Sequence, residues 1–133
     1  MSKPDAAGLA SLGSAESEIL DIVWKLKEAT VQQIWAELPP NRQIASVTVQ
    51  TVLRRLLAKG YVRRRVIGKA HVFSSFVKRE KVITKNVGDL VTRFFGGDAV
   101  SLVVHLAKSR QIDQEDIKRL QDILKETRPK AYD

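Results

Sequence analysis

Residues 46–76 read SVTVQTVLRRLLAKGYVRRRVIGKAHVFSSF. In the first half, Val49, Val52, Leu53, Leu56 and Leu57 recur at helical spacing, which predicts a helix with one buried stripe. Ser46 is placed to cap its start, and Gly60 to end it, because glycine accepts the left-handed conformation that closes a last turn. Two runs rich in β-branched and aromatic residues follow, Tyr61 to Ile67 and Ala70 to Phe76, with Gly68-Lys69 between them as a hairpin tip. Three consecutive arginines, Arg63 to Arg65, break the alternation, so the hairpin is expected with its register left open.

Upstream, two shorter helices precede this unit. The first starts near Gly13-Ser14, with Glu16 favourable to its dipole, and sets Ala15, Ile19, Ile22, Val23 and Leu26 on one face. Lys27-Glu28-Ala29 reads as a short connection. Thr30 and Gln33 form a capping box for the second helix, whose buried stripe is Val31, Ile34, Trp35 and Leu38, and Pro39-Pro40 stops it. Trp24 and Trp35 both sit on apolar faces and are expected in the core. Three helices and a hairpin in about seventy residues is the order of a winged helix-turn-helix. Downstream the chain is helical again: a long helix from about Arg79 to Phe95 ended by Gly96-Gly97, a fifth capped by Asp98, and a sixth capped by Asp113. The expected fold is therefore mainly α with a small β-hairpin wing: a flexible N-terminus (1–11), a winged helix (12–77), a helical dimerisation region (78–126) and a frayed tail (127–133).

Charge is concentrated in the middle of the chain. From Asn41 to Lys85 there are twelve Lys and Arg and one acid, Glu80, a net +11, against +8 for the whole chain. A solvated face usually mixes both signs, so a one-sign run of this length points to a polyanion. The basic residues span a helix and a hairpin instead of forming an amphipathic helix with bulky apolar anchors, which argues for nucleic acid over membrane. Aromatic residues are sparse at 6% and form no stacking platform, which argues against single-strand recognition. A double-stranded DNA partner remains. On the third helix Thr48, Gln50, Thr51, Arg54 and Arg55 are left for the solvent side, where short polar side chains and arginine read base edges. Ser46 and Lys59 flank them. On the hairpin, Arg63, Arg65, Lys69 and His71 are the expected contacts. Alternation prevents Arg63, Arg64 and Arg65 from all pointing one way, so at least one packs or pairs within the protein.

No catalytic constellation is legible. His71 and His105 stand far apart without carboxylates at ligand spacing, the glycines form no phosphate loop, and Asp113, Glu115 and Asp116 suit a helix start. No cofactor and no metal site is expected. Cysteine is absent, Met1 to Gly13 has no apolar core like that of a secretory signal, and no apolar run approaches the ~20 residues of a membrane span, so the chain reads as cytoplasmic without membrane insertion. The three C-terminal helices are too short to make a comfortable core alone, and a two-fold homodimer would bury their apolar residues: Val87, Leu90, Val91, Phe94, Phe95, Val103, Val104, Ile117, Leu120 and Leu124. It would also set two reading helices ~34–36 Å apart, or a multiple of that, on a palindromic operator.

The segments AESEILDIVW (15–24), TVQQI (30–34), TVQTVLRRL (48–56) followed by Lys59-Gly60, and FFGG (94–97) occur in an order and spacing that resembles the BlaI/MecI penicillinase-repressor family, from Leu12 to about Leu124. The resemblance implies a dimeric winged-helix repressor of antibiotic-resistance or related operons, relieved by proteolysis in the C-terminal region on the signal of a membrane sensor protease. It implies that Thr48, Gln50, Thr51 and Arg55 face DNA. Val47 stands where the family often has a polar residue, Gln50 where arginine can occur, and His105-Leu106 where the family has its Asn-Phe cleavage pair. The copper-responsive branch uses C-terminal cysteines that this chain lacks, which disfavours copper sensing. Two other readings fit the same architecture: a regulator controlled by a small molecule, and a sequence-indifferent nucleic-acid-binding protein.

Overall fold

A computed structural model describes residues 11–127; the flexible N-terminus and frayed tail expected at the two ends otherwise lie outside the described residues. The elements in order are α1 (Ser14–Leu26), β1 (Glu28–Ala29), α2 (Val31–Glu37), α3 (Ser46–Lys59), β2 (Val62–Ile67), β3 (Ala70–Ser75), α4 (Arg79–Phe95), α5 (Ala99–Lys108) and α6 (Gln114–Glu126). The mainly helical fold with a small β wing is the one expected from the periodicities. Two compact units divide between Val87 and Gly88.

In the first unit, α1, α2 and α3 pack on a three-stranded antiparallel sheet of order β1-β3-β2. Ile19, Leu20 and Val23 of α1, Ile34 of α2 and Val49, Val52, Leu53 and Leu56 of α3 form the core with Tyr61, Val62, Phe73 and Val77. Each helix ends for a local reason. The Gly13 N–H donates to Glu16 Oε1 at 2.8 Å, and Thr30 and Gln33 cap α2 reciprocally at 3.2 and 2.9 Å. Gly60 closes α3 at φ +85°. Ala45 is the cap residue of α3 and Ser46 its first residue, one position away from the expected cap.

Two expectations need correction here. Lys27-Glu28-Ala29 is no mere connection: Lys27 turns the chain at φ +70°, and Glu28 and Ala29 pair with Ser74 and Phe73 as an edge strand. Two residues are too few to show a period, so the strand left no signal. Trp24 closes over the sheet, its indole N–H donating to Ser75 Oγ at 2.8 Å and to the Val77 carbonyl at 3.1 Å. Trp35 is 43% exposed instead of core, because its N–H reaches out to the Ile44 carbonyl at 2.8 Å and pins the loop before α3.

The winged helix was expected to end at residue 77, but Val82 of α4 is 3% exposed and belongs to the same core cluster, so the first unit takes in the start of α4. The second unit holds the remainder of α4 with α5 and α6. Gly96 and Gly97, at φ +60° and +86°, break the chain between α4 and α5. Asp98 caps α5 by accepting from the Val100 N–H, and Asp113 and Asp116 cap α6 reciprocally. Neither α5 nor α6 contains a buried residue. Val91, assigned to a dimer surface, is 8% exposed and already buried in its own chain. Among the described residues no single helix is long and apolar enough to cross a membrane.

Leu53 is wholly buried at the centre of α3. Leu53→Ala is expected to lower the unfolding free energy by about 2–5 kcal/mol, read from urea unfolding; a loss under about 1 kcal/mol would place Leu53 outside the core.

Candidate nucleic-acid interface

The inward stripe of α3 determines what faces out. With Val49, Val52, Leu53 and Leu56 buried, Thr48, Gln50, Thr51, Arg54 and Arg55 are all exposed, and Val47 at the N-terminal end is 60% exposed. Thr51 Oγ1 donates to the Val47 carbonyl at 3.1 Å, which leaves its methyl group and oxygen lone pairs for an outside partner. The outer side of this helix thus offers an amide, two hydroxyl residues, two guanidiniums and an apolar side chain in about two turns, a set that can contact base edges, thymine methyls and phosphates.

The hairpin adds charge beside it. The strands pair Arg63 with Ser74, Arg64 with Phe73, Arg65 with Val72 and Val66 with His71. Residues opposite one another share a face, so Arg64 and His71 lie on the side of the core residue Phe73, while Arg63 and Arg65 lie on the other. On that other side Arg65 binds Glu28 of β1, and the Arg63 guanidinium stands 5.8 Å over the Phe76 ring. A cleft of about 270 Å³ opens between α3 and the hairpin, lined by Gln50, Arg54, Arg64, His71 and Phe73 among others.

Several of the cations between Arg42 and Lys85 meet an acid, and others do not. Arg42 binds Glu18 through two nitrogens at 2.9–3.2 Å, and Arg79 lies 3.8 Å from Asp21 and 3.5 Å from Glu80. Lys59, expected to contact DNA, is held 2.7 Å from Glu16 and donates to the Ser11 carbonyl at 2.9 Å. Arg54, Arg55, Arg64 and Lys69 form no ion pair among the described residues. Of the other residues assigned from sequence, His71 is exposed and Ser46 half-buried. The sequence names Arg63 and Arg65 as contacts and not Arg64; the register, which the sequence leaves open, sets Arg64 on the face of the hairpin that carries Phe73.

Glu16 is the one buried charged group among the described residues, at 6% exposure, and its Oε2 has no hydrogen-bond partner there. Burial pushes its carboxyl up, but the Lys59 ammonium, the Gly13 N–H and the nearby charge of Arg55 together hold it below its usual value of 4.5. It ties the start of α1 to the end of α3.

A helix with a polar, solvent-facing outer side, packed on two other helices and flanked by a basic hairpin, defines a winged-helix DNA-binding protein. A family model described as penicillinase repressor matches residues 12–126. The chain is similar to the penicillinase repressor of Staphylococcus aureus, 26% identical over 113 residues covering 85% of this chain and 90% of that protein. It is also similar to the transcriptional regulator BlaI of Mycobacterium tuberculosis, 29% identical over 115 residues covering 85% of this chain and 83% of that one. A crystal structure of a mutant MarR from E. coli aligns over 90% of this chain and 79% of that one with a TM-score of 0.51 at 16% identity, a likeness of fold alone. The chain belongs to the penicillinase repressor family: it is a DNA-binding transcriptional repressor and not an enzyme.

Because the Glu16 carboxyl titrates lower folded than unfolded, its stabilisation is complete above pH 4.5 and is lost as pH falls through the lower folded value. Glu16→Gln is therefore expected to flatten the acid limb of the urea midpoint below about pH 5. An unchanged limb would mean that this pair does not govern acid stability.

Proposed function

We propose that the chain binds a palindromic operator as a homodimer and represses a β-lactamase or related resistance or stress operon in the cytoplasm. The observation that carries the reading is the bare outer side of α3, where Thr48, Gln50, Thr51, Arg54 and Arg55 stand exposed while the opposite side is sealed in the core. Thr51 and Arg55 share one line of the helix and are assigned to bases; Lys69, at the hairpin tip, is assigned to the phosphate backbone.

The homodimer is supported by the second unit. A pair of helices without a buried residue cannot hold itself folded by its own core, and Phe94, Val103, Val104, Leu120 and Leu124 remain exposed on it. Burying them against a second copy satisfies the hydrophobic demand and supplies the two-fold symmetry that a palindrome requires. Relief of repression by a membrane sensor protease acting at His105-Leu106 belongs to the same proposal. Both residues lie within α5, so cutting there demands that its last turns unwind first, and cleavage would separate α6 from the rest of the chain. A second reading, control by a small molecule, is favoured by an apolar hollow of about 310 Å³ in the first unit, lined by Leu12, Trp24, Val82, Ile83 and Val87 among others.

Selection of bound duplexes from a random pool is expected to return a palindromic motif bound ~10³-fold or more tighter than random duplex at physiological salt; a pool without a motif would refute sequence-specific repression. On the selected site, Thr51→Ala or Arg55→Ala should each cost ~1–3 kcal/mol. Lys69→Ala should weaken all duplexes alike and lower the salt slope by about one. Sedimentation of the full chain at micromolar concentration is expected to give a dimer, and a monomer would remove the two-fold model.

A further inference from the structure

The geometry points to a phosphate seat in the cleft between α3 and the hairpin, where Arg64 and Arg54 grip one backbone phosphodiester of the duplex with His71 beside them. The assignment rests on α3 being the groove-facing helix. It starts from the arginine run. Of Arg63, Arg64 and Arg65, the two outer members share one face of the hairpin and are engaged there, Arg63 over the Phe76 ring and Arg65 with Glu28. Arg64 is turned to the opposite face by the pleat, across from Phe73, and lines the cleft together with Arg54 of α3. Neither arginine has an ion pair among the described residues, and no acidic residue lines the cleft.

Two guanidiniums on one cleft without a counter-charge repel each other, and an anion between them converts that repulsion into attraction. Guanidinium matches phosphate oxygens with paired N–H donors, which a lysine cannot do. Gln50 and Gln32 supply neutral amide donors at the same rim, and the His71 imidazole can donate a ring N–H. At about 270 Å³ the cleft exceeds the share of one water, about 30 Å³, several-fold, which is room for a phosphate group. Because Gln50 and Arg54 also belong to the exposed side of α3, a strand whose bases meet that helix carries its phosphates past the cleft mouth. A free phosphate offers the same oxygens, so the test separates the two sources.

The test compares Arg63→Ala, Arg64→Ala and Arg65→Ala in the full chain, on the duplex recovered by selection and on a random duplex, across a salt series. Arg64→Ala is expected to lower the slope of log Kd against log salt by about one and to weaken both duplexes by the same factor, at an unchanged thermal midpoint. The two neighbours should leave the slope alone. In the selected duplex, one methylphosphonate linkage per half-site should weaken the wild type and leave Arg64→Ala unaffected. An unchanged slope for Arg64→Ala, equal effects of all three arginines, or no linkage that couples to Arg64 would each overturn the seat. With no duplex present, inorganic phosphate at millimolar concentration is expected to leave the side-chain NMR signals of Arg54 and Arg64 unmoved; saturable shifts lost in Arg64→Ala would make the cleft a free-anion site and overturn the assignment to duplex. If the wild type selects no duplex, the repressor reading itself fails, an outcome distinct from these.

Discussion

Val49, Val52, Leu53 and Leu56 fix the rotation of α3 about its own axis, and that rotation is the constraint on which the rest depends. All four are at most 4% exposed, packed against α1, α2 and the sheet. At about 100° per residue, locking those positions inward leaves Thr48, Gln50, Thr51, Arg54 and Arg55 no place but the outside. The buried leucines and the outward polar residues are a single decision written in one helix. In the role proposed for α3 this coupling matters, since a reading helix free to roll would lose its register on the bases. The Glu16–Lys59 pair at one end of α3 and the Trp35–Ile44 hydrogen bond before the other hold the two ends of the same element.

The electrostatics follow from how acids outside the basic run fold onto it. Glu16, Glu18 and Asp21 of α1 and Glu28 of β1 each meet a cation from the middle of the chain. Long-range pairs of this kind take part of the positive charge out of use and leave Arg54, Arg55, Arg63, Arg64 and Lys69 as cations around α3 and the hairpin without ion pairs among the described residues, Arg63 being stacked on Phe76. The surface offered to a polyanion is therefore narrower than a net +11 over Asn41 to Lys85 suggests. Most of the pairs are solvent-exposed and contribute little to stability. Their effect is to determine which basic residues are left without an acidic partner.

Local rules made much of this legible in the sequence. Thr30 and Gln33, Gly60, Gly68-Lys69, Asp98 and Asp113 mark helix and hairpin boundaries through chemistry that acts within a few residues, and the chain obeys them. What was not legible depends on partners distant in sequence. The β1 edge strand exists only because β3 runs beside it. Lys59 reads in sequence as a DNA contact beside α3, and its partner Glu16 lies 43 residues away, beyond the reach of any local rule. Which of the three arginines shares a face with Phe73 depended on the pairing of β2 with β3, which the irregular alternation did not supply. Val82 and Val91 show the same limit: a helical stripe says that a side is buried, not which neighbour buries it.

The second unit poses the complementary physical problem, an apolar face on α5 and α6 without a buried residue, which the proposed association of two chains would cover. Yet the central claim concerns α3, and an NMR titration of the isotope-labelled full chain with the selected duplex tests it most directly. The account predicts that the largest shift changes fall on Thr48, Gln50, Thr51, Arg54 and Arg55 of α3 and on Arg64 and Lys69 of the hairpin. Changes confined to α5 and α6, with those signals of α3 unmoved at saturation, would contradict it.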